Sequence, residues 1–399
     1  MRSASPCRDS RNSRRRSRVG PLAGIRVIDL TSVGMGPYAT QILGDMGADV
    51  IKIESPDGDV FRYAAPFRNP GMGATYLNLN RNKRSIVLDL KQPDQLQVLL
   101  RLVRTADVFV CTIRPQAVRK LGLAYEVLSA ANPRLIYCGM YGFSEDGPYA
   151  GRPAFDDIIQ AMSGLAALQG QHRPDGPRYV NTIVADKTVG LTAAWAIAMA
   201  LFERERSGRG QSIEIPMFET LVSYTLVEHL AGETFRPAEG GMGYERVLSP
   251  HRRPFRTLDG YIGLLPYTNA HFQRFFTLTG RPELVSDPRF ADPAARSRNV
   301  ADLYTIIGEL VVEKPTAEWT ELLSAADIPM TPVMTPEDLL KDPHLEAVGF
   351  FREEEHPTEG PIRSMGIPVH FSRTPGSIRQ PAPNLDEHRD EILKELDTL

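Results

Sequence analysis

The first half of the chain alternates short apolar runs with amphipathic segments. The apolar runs predict buried strands at 25–30, 49–54, 85–90, 107–112 and 134–139, and helical periodicity falls at 38–46 and 94–104. These strands are nearly continuous in Val, Ile and Leu, which is typical of parallel strands covered on both faces. We therefore predict an α/β fold whose large domain is a Rossmann-like, doubly wound parallel sheet.

The second half of the pattern predicts more helix and a second domain. Helices are predicted at 155–168, 187–206 and 219–232, with a strand at 211–216. From residue 256 onward a short strand (261–265) precedes mixed helices, which indicates a smaller α+β domain, and six prolines between Pro357 and Pro383 predict an extended C-terminal stretch. The predicted division is a disordered basic tail (1–20), the first part of the large domain (21–220), a linker and small domain (221–330) and a return to the large domain (331–399).

Charge and composition narrow the classes of function. The 46 basic and 49 acidic residues give a net charge of −3, but seven arginines lie in the first 20 residues, so the rest of the chain is acidic. An acidic body disfavours nucleic-acid binding, which needs clustered cations. The three cysteines exclude a disulfide scaffold, no metal-ligand spacing is present, and the composition fits the cytoplasm. The longest apolar stretch, Gly190–Phe202, is too short to span a bilayer, so no membrane partner is expected.

A glycine pattern follows the first predicted strand. Gly34, Gly36 and Ala39 match G-x-G-x-x-[GA], and Glu54 stands at the end of the second strand. This spacing is typical of an NAD-dependent dehydrogenase, with the carboxylate on the ribose. Three residues separate the strand from the first glycine, where the dinucleotide turn has almost none. A tight structural turn and a turn packed on another nucleotide-containing cofactor therefore remain alternatives.

Several segments, in one order, resemble the family III CoA-transferases, the group that includes formyl-CoA transferase, carnitine CoA-transferases and acyl-CoA racemases. The resemblance runs from about Pro21 to the C-terminus, and its segments are 21–54, 80–91, 106–123, 142–165, 184–211 and 254–263. It implies an enzyme that moves CoA from an acyl-CoA to a free carboxylic acid. It also implies an interlocked homodimer, in which each chain forms a ring threaded by the other.

The resemblance implies that Asp186 is a covalent nucleophile that carries the aspartyl intermediate. From the residues alone, Asp186 is expected at the N-cap of the 187–206 helix, where a plain capping role is also open. A helix N-terminus favours an ionised carboxylate, and a carboxylate nucleophile must be ionised.

Positions that would contact CoA follow from the same resemblance. Val33 and Met35 would approach the cofactor from the turn after the first strand, and Leu88 and Lys91 match positions around the adenine and its ribose phosphate. Lys120 matches a basic residue on the phosphates, and Arg119 is an alternative to it.

Two further segments would shape the acyl pocket. Gly240, Gly241 and Gly243 are the expected mobile loop that shields the intermediates, with an ordinary interdomain turn as the alternative.

Phe155 stands where the racemases carry a histidine, whereas Asp156 is kept, and this disfavours a racemase. Arg252 and Arg253 are expected to bind the second carboxylate of a dicarboxylic acid, or to form a solvated basic loop. The functions left open beside the transferase are an acyl-CoA racemase, an NAD-dependent dehydrogenase and a non-catalytic CoA-binding protein.

Overall fold

The computed structural model describes residues 20–398, so the predicted disordered tail lies outside the described residues except for Gly20. The described chain forms two compact units. The first contains the residues up to Ala166, then Tyr179–Tyr224, and then everything from Ala347 onward. The second contains Ala167–Arg178 and Thr225–Glu346.

A six-stranded parallel sheet organises the first unit. Its strands are β1 (Arg26–Leu30), β2 (Asp49–Glu54), β3 (Lys83–Val87), β4 (Val108–Cys111), β5 (Ile136–Tyr141) and β6 (Gln211–Pro216). The spatial order is β3-β2-β1-β4-β5-β6, and all five neighbouring pairs are parallel. This is the doubly wound order of a Rossmann-like sheet, so the predicted fold class is confirmed.

Helices cover both faces of this sheet. They are α1 (Met35–Asp45), α2 (Ala74–Leu79), α3 (Pro93–Arg104), α4 (Pro115–Lys120), α5 (Tyr125–Ala131), α6 (Asp156–Met162), α7 (Leu165–Gly170), α8 (Val184–Ser207) and α9 (Met217–His229). The helix predicted over 155–168 is instead two helices, because Gly164 takes a φ of +82° between them. The predicted boundaries of α1 and α8 are also wrong, since both helices begin three residues earlier than the sequence indicated.

The long helix α8 is the central helix of this unit. By length and composition it could cross a bilayer, with a mean hydropathy of 1.3, although the apolar run within it is shorter. Half of that stretch is buried inside the protein, where Val189, Ala193 and Ile197 pack with β1, β4 and β5. Core packing therefore accounts for the buried face of α8, whereas Leu191, Trp195, Met199 and Phe202 of the same helix are exposed.

The second unit has its own core. It contains α10 (Glu245–Leu248), β7 (Phe255–Arg256), β8 (Tyr261–Leu264), α11 (Asn269–Leu278), α12 (Pro293–Arg298), α13 (Val300–Val311), α14 (Thr316–Ala325), β9 (Met330–Pro332), α15 (Pro336–Leu339) and α16 (Pro343–Ala347). The three strands form an antiparallel sheet. Phe275, Phe276 and Trp319 are almost completely buried beside it.

The C-terminal stretch has more regular structure than its prolines indicated. A hairpin of β10 (Phe351–His356) and β11 (Gly360–Met365) comes first, and α17 (Arg389–Asp397) ends the described chain. Ile392 and Leu396 of α17 are buried in the same core cluster as Leu99 and Leu102 of α3. An entirely extended stretch is therefore the wrong interpretation. The helix α17 follows the last of the prolines in a segment of good helix formers, and burial of its apolar stripe stabilises it.

Candidate active site

A pocket opens where the strand order of the sheet reverses. It has a volume of about 200 Å³ and is lined by residues that follow β1 (32–35), β4 (112–115) and β5 (142–145), together with Asp186. In doubly wound sheets, ligands bind at the carboxyl ends of the strands at this switch point. The position of the pocket therefore marks it as the candidate active site.

The turn after β1 is held in an unusual conformation. Val33 has a φ of +68°, which is unfavourable for a β-branched residue. Its backbone N–H donates to Asp59 Oδ1 at 3.1 Å. Lys52 Nζ binds both the other oxygen of Asp59 and the carbonyl of Thr31, each at 2.9 Å. A buried ion pair thus fixes the turn from both ends, and strained turns of this kind concentrate at functional sites.

Gly34 lies directly against the carboxylate of Asp186. A Cβ atom built on Gly34 would stand 2.2 Å from Asp186 Oδ2, a distance that no real Cβ reaches. The glycine is required here because the carboxylate occupies the space that any side chain would fill. The turn of the dinucleotide-like pattern therefore packs on Asp186 within the pocket.

The structure corrects the expected capping role of Asp186. The helix α8 begins at Val184, its N-cap is Ile183, and Asp186 is the third helical residue. Asp156, at the start of α6, accepts a hydrogen bond from the backbone N–H of Asp186 at 3.0 Å. Its other oxygen accepts one from Gln160 Nε2 at 2.6 Å. Asp156 therefore satisfies an N-terminal donor of α8 from another helix, and the Asp186 carboxylate accepts no hydrogen bond from the described residues.

The surroundings of Asp186 act against its ionisation. Burial, and then the negative charge of Asp156, raise its pKa to about 7. The helix N-terminus was expected to favour the ionised carboxylate, but burial and the like charge of Asp156 act in the opposite direction. A raised pKa also makes the ionised form a stronger base and a stronger nucleophile.

Glu54 does not have the free carboxylate that a dinucleotide ribose would need. Arg62 donates to both of its oxygens, at 2.8 and 2.7 Å, and Ser85 Oγ donates to one of them at 2.6 Å. Burial opposes ionisation of Glu54, but these bonds and the charge of Lys52 lower its pKa. Both features of the dinucleotide-like pattern thus have another structural explanation. Gly34 leaves space for the Asp186 carboxylate, and Glu54 is paired with Arg62.

The predicted CoA-contact residues divide into two groups. Val33 and Met35 line the pocket, whereas Lys91, Arg119 and Lys120 are exposed outside its lining. Arg119 is linked to the pocket because it lies 3.6 Å from Glu145, which lines it. The side chain of Leu88 is buried in the core, so only its backbone could meet a ligand.

Among the predicted pocket residues, Phe155 lines the pocket with its side chain largely exposed, at 66%. The next residue, Asp156, is buried and accepts the hydrogen bonds from Asp186 N–H and Gln160 Nε2. Gly240, Gly241 and Gly243 belong to the second unit, where Gly232 N–H donates to Gly241 O at 3.1 Å and Gly243 N–H donates to His229 O at 2.8 Å. Their predicted role as a shielding loop stays a prediction.

Sequence reasoning missed one arginine, Arg114, and one carboxylate, that of Asp59. Arg114 and Arg152 line the pocket, and Asp59 holds the turn at Val33. Arg114 had a usable signal, since it directly follows the fourth strand in Thr112-Ile113-Arg114-Pro115. Asp59 had none, because its contact with Val33 joins residues 26 positions apart.

Fold and site together define a doubly wound α/β protein with a buried carboxylate, free of hydrogen bonds from the described residues, in the pocket at its switch point. The family model "CoA-transferase family III" matches residues 22–389. The chain is 35% identical to the succinate–glutarate CoA-transferase of Agrobacterium fabrum, over 96% of this chain and 97% of that protein. It is 32% identical to the human succinyl-CoA:glutarate CoA-transferase, over 95% of this chain and 86% of that protein.

A solved structure extends the likeness to the fold. The CaiB/BaiF family protein of Brucella suis matches with a TM-score of 0.80 at 32% identity, covering 95% of this chain and 100% of that one. The chain therefore belongs to CoA-transferase family III. It is an enzyme that transfers CoA between an acyl-CoA and a carboxylic acid.

The contact between Gly34 and Asp186 predicts the effect of one added methyl group. We expect Gly34→Ala to displace the Asp186 carboxylate and to lower kcat/KM for CoA transfer about 100-fold, because misplacement by 1 Å can cost that much. Gly308→Ala is the control, since a Cβ there meets only Phe255 at an ordinary 3.7 Å. Steady-state rates and thermal melting of both variants test this. Full activity in Gly34→Ala would show that the contact is unimportant.

The raised pKa of Asp186 predicts how kcat/KM falls on the acid side of its pH profile. If the reaction uses the ionised carboxylate, kcat/KM should rise with pH and level off above about 7. Asp156→Asn removes the like charge and should move this limb to lower pH, although not to the ordinary aspartate value, because burial remains. Asp157→Asn, one exposed position further on, should leave the profile unchanged. A limb that does not move in Asp156→Asn would contradict the electrostatic account.

Proposed function

We propose that Asp186 is the nucleophile and that transfer proceeds through covalent aspartyl intermediates. The observation that carries the proposal is a buried carboxylate at the switch-point pocket that accepts no hydrogen bond from the described residues. Purely structural buried carboxylates are hydrogen-bonded, as Asp59 and Glu54 are. A carboxylate left free in a pocket supports a chemical role.

The steps follow from carboxylate and thioester chemistry. Asp186 attacks the thioester carbonyl of the donor, the CoA thiolate leaves, and a mixed anhydride forms. The thiolate then attacks the aspartyl carbonyl, which releases the donor acid and leaves an aspartyl-CoA thioester. The acceptor carboxylate attacks that carbonyl and expels the thiolate, which finally attacks the acceptor's carbonyl and frees Asp186. Each step exchanges a thioester or an anhydride for another thioester or anhydride. The energy of the donor thioester is therefore conserved, and no ATP is needed.

Two groups of residues would stabilise negative charge, one on the reacting atoms in the pocket and one on the phosphates of CoA outside it. The helix α1 begins at Met35, beside Gly34 and the carboxylate, so its first N–H groups are available to an oxyanion. The CoA phosphates would be bound by the exposed Lys91, Arg119 and Lys120, as the resemblance implies. These assignments give the pantetheine arm a path from the surface to Asp186.

We further propose dicarboxylic acids as the substrate class. Relatives of this chain are named for succinate, glutarate, malate and mesaconate. Arg114 and Arg152 line the pocket, and neither has a carboxylate within ion-pair distance among residues 20–398. Both belong to the first unit and could bind the distal carboxylate, whereas the earlier candidates Arg252 and Arg253 belong to the second unit and stay a prediction.

Trapping tests the covalent mechanism. Wild-type protein is incubated briefly with succinyl-CoA or glutaryl-CoA and hydroxylamine, and is then analysed by intact-mass and peptide mass spectrometry. A hydroxamate on Asp186, absent from Asp186→Asn, is the expected result, because hydroxylamine captures activated aspartyl carbonyls.

The control is Asp157→Asn, which should still trap. An adduct that persists in Asp186→Asn, or transfer without any adduct in the wild type, would refute the nucleophile assignment. Acetyl-CoA should label more slowly than succinyl-CoA if the distal carboxylate is recognised.

We propose a homodimer as the assembly. On α8, Leu191, Trp195, Met199 and Phe202 are exposed large apolar side chains, and their spacing places them along one stripe of the helix. Contiguous exposed apolar surface is typical of an interface. We expect a dimer by sedimentation equilibrium at micromolar concentration, weakened in Trp195→Glu and unchanged in the neighbouring exposed variant Glu203→Ala. A monomeric wild type would refute the proposal.

A further inference from the structure

Among residues 20–398, the buried cations are paired with carboxylates, with one exception. Six pairs have N–O distances of 2.6–3.0 Å: Lys52–Asp59, Arg62–Glu54, Arg81–Asp45, Lys83–Asp29, Arg84–Asp49 and Arg204–Asp107. Arg296 in the second unit is only 6% exposed, yet no carboxylate lies within ion-pair distance of it in the part of the chain that the structure describes. An unpaired buried charge is costly, so this residue needs an explanation.

The contacts of Arg296 are all with neutral groups. Its Nη1 donates to the carbonyl of Phe290 at 2.7 Å, and its Nη2 donates to Asn269 Oδ1. The guanidinium carbon lies 4.5 Å from the centre of the Phe272 ring. The nearby carboxylate, Asp292, is occupied as the N-cap of α12, where it accepts from Ala295 N–H at 2.8 Å. These contacts orient the guanidinium but do not neutralise it.

Arg296 also lines a cavity of about 320 Å³ that lies entirely within the second unit. A second guanidinium, that of Arg246, lines the same cavity, and Tyr244 and Tyr304 add phenol groups beside it. Leu303 is among the apolar residues of the wall, and neither aspartate nor glutamate is among the lining residues. A cavity with two cations, an apolar wall and no anion is complementary to a small molecule with two acidic groups joined by methylenes.

We propose that this cavity is a binding site for a small dicarboxylate, with one carboxylate on Arg296 and the other on Arg246. The anion supplies the charge that Arg296 lacks, and the methylene chain contacts the apolar wall. That the ligand is a dicarboxylate rests on the proposed function, because such acids are its substrates and products. That the site takes an anion rests on Arg296 alone.

Calorimetric titration of the full-length protein with glutarate, without any CoA thioester, tests the proposal. We expect Arg296→Gln to weaken the binding at least about tenfold, the loss typical of one charge-assisted hydrogen bond. Asp186→Asn should retain this binding, so the result does not depend on whether Asp186 is the nucleophile. Arg289→Gln is the matched control, because Arg289 is an exposed arginine of the same unit that is already paired with Asp287 and Asp302.

Thermal melting separates a ligand site from a purely structural arginine. Glutarate should raise the melting temperature of the wild type and should not raise that of Arg296→Gln, whatever the melting temperature of each protein without ligand. A destabilised Arg296→Gln with unchanged glutarate binding would overturn the proposal. If that variant does not fold, the half-buried Arg246→Gln replaces it, and unchanged glutarate binding there would also overturn the proposal.

The choice of probes tests the class of ligand. Butyrate has the same apolar body with one carboxylate, so it should bind more weakly than glutarate, and inorganic phosphate should not compete. Equal binding of butyrate would overturn the assignment of Arg246, and equal binding of phosphate would overturn the assignment to dicarboxylates.

Discussion

The contact between Gly34 and the carboxylate of Asp186 is the constraint on which the active site depends. It brings the turn after the first strand against the first turn of the central helix, so that two distant parts of the chain form one pocket. A Cβ atom at position 34 would collide with the Asp186 carboxylate, so glycine fits here best. The turn that carries Gly34 must also be held in place. The Lys52–Asp59 pair does this, because it binds both Thr31 and Val33.

The same close packing explains the electrostatics of the site. A carboxylate pressed against backbone and beside Asp156 loses hydration and gains a like charge, so its pKa rises to about 7. A raised pKa makes the ionised carboxylate more basic than that of a well-solvated aspartate, which would favour the proposed role of Asp186 as a nucleophile. A higher pKa lowers the fraction of Asp186 that is ionised at a given pH, but it raises the basicity of the ionised form.

Much of the fold could be predicted from the sequence, because its strands carry their own signal. β2 and β6 were predicted residue for residue, because β-branched Val and Ile recur in both. Helix ends were less predictable. The break at Gly164 depends on the positive φ of one residue, and the helix α17 also depends on the burial of Ile392 and Leu396 in the core of the first unit. The family resemblance pointed to Asp186, but not to its surroundings.

The sequence by itself determined the fold class and the family, and it singled out Asp186 as the candidate nucleophile. These depend on local apolar runs and on an ordered set of motifs, which are properties of the chain alone. Tertiary structure decided what Gly34, Glu54 and Asp156 do, and it reversed the expected direction of the Asp186 pKa. Burial and the distance between charges are set by residues far apart in sequence, so no local pattern could have supplied them.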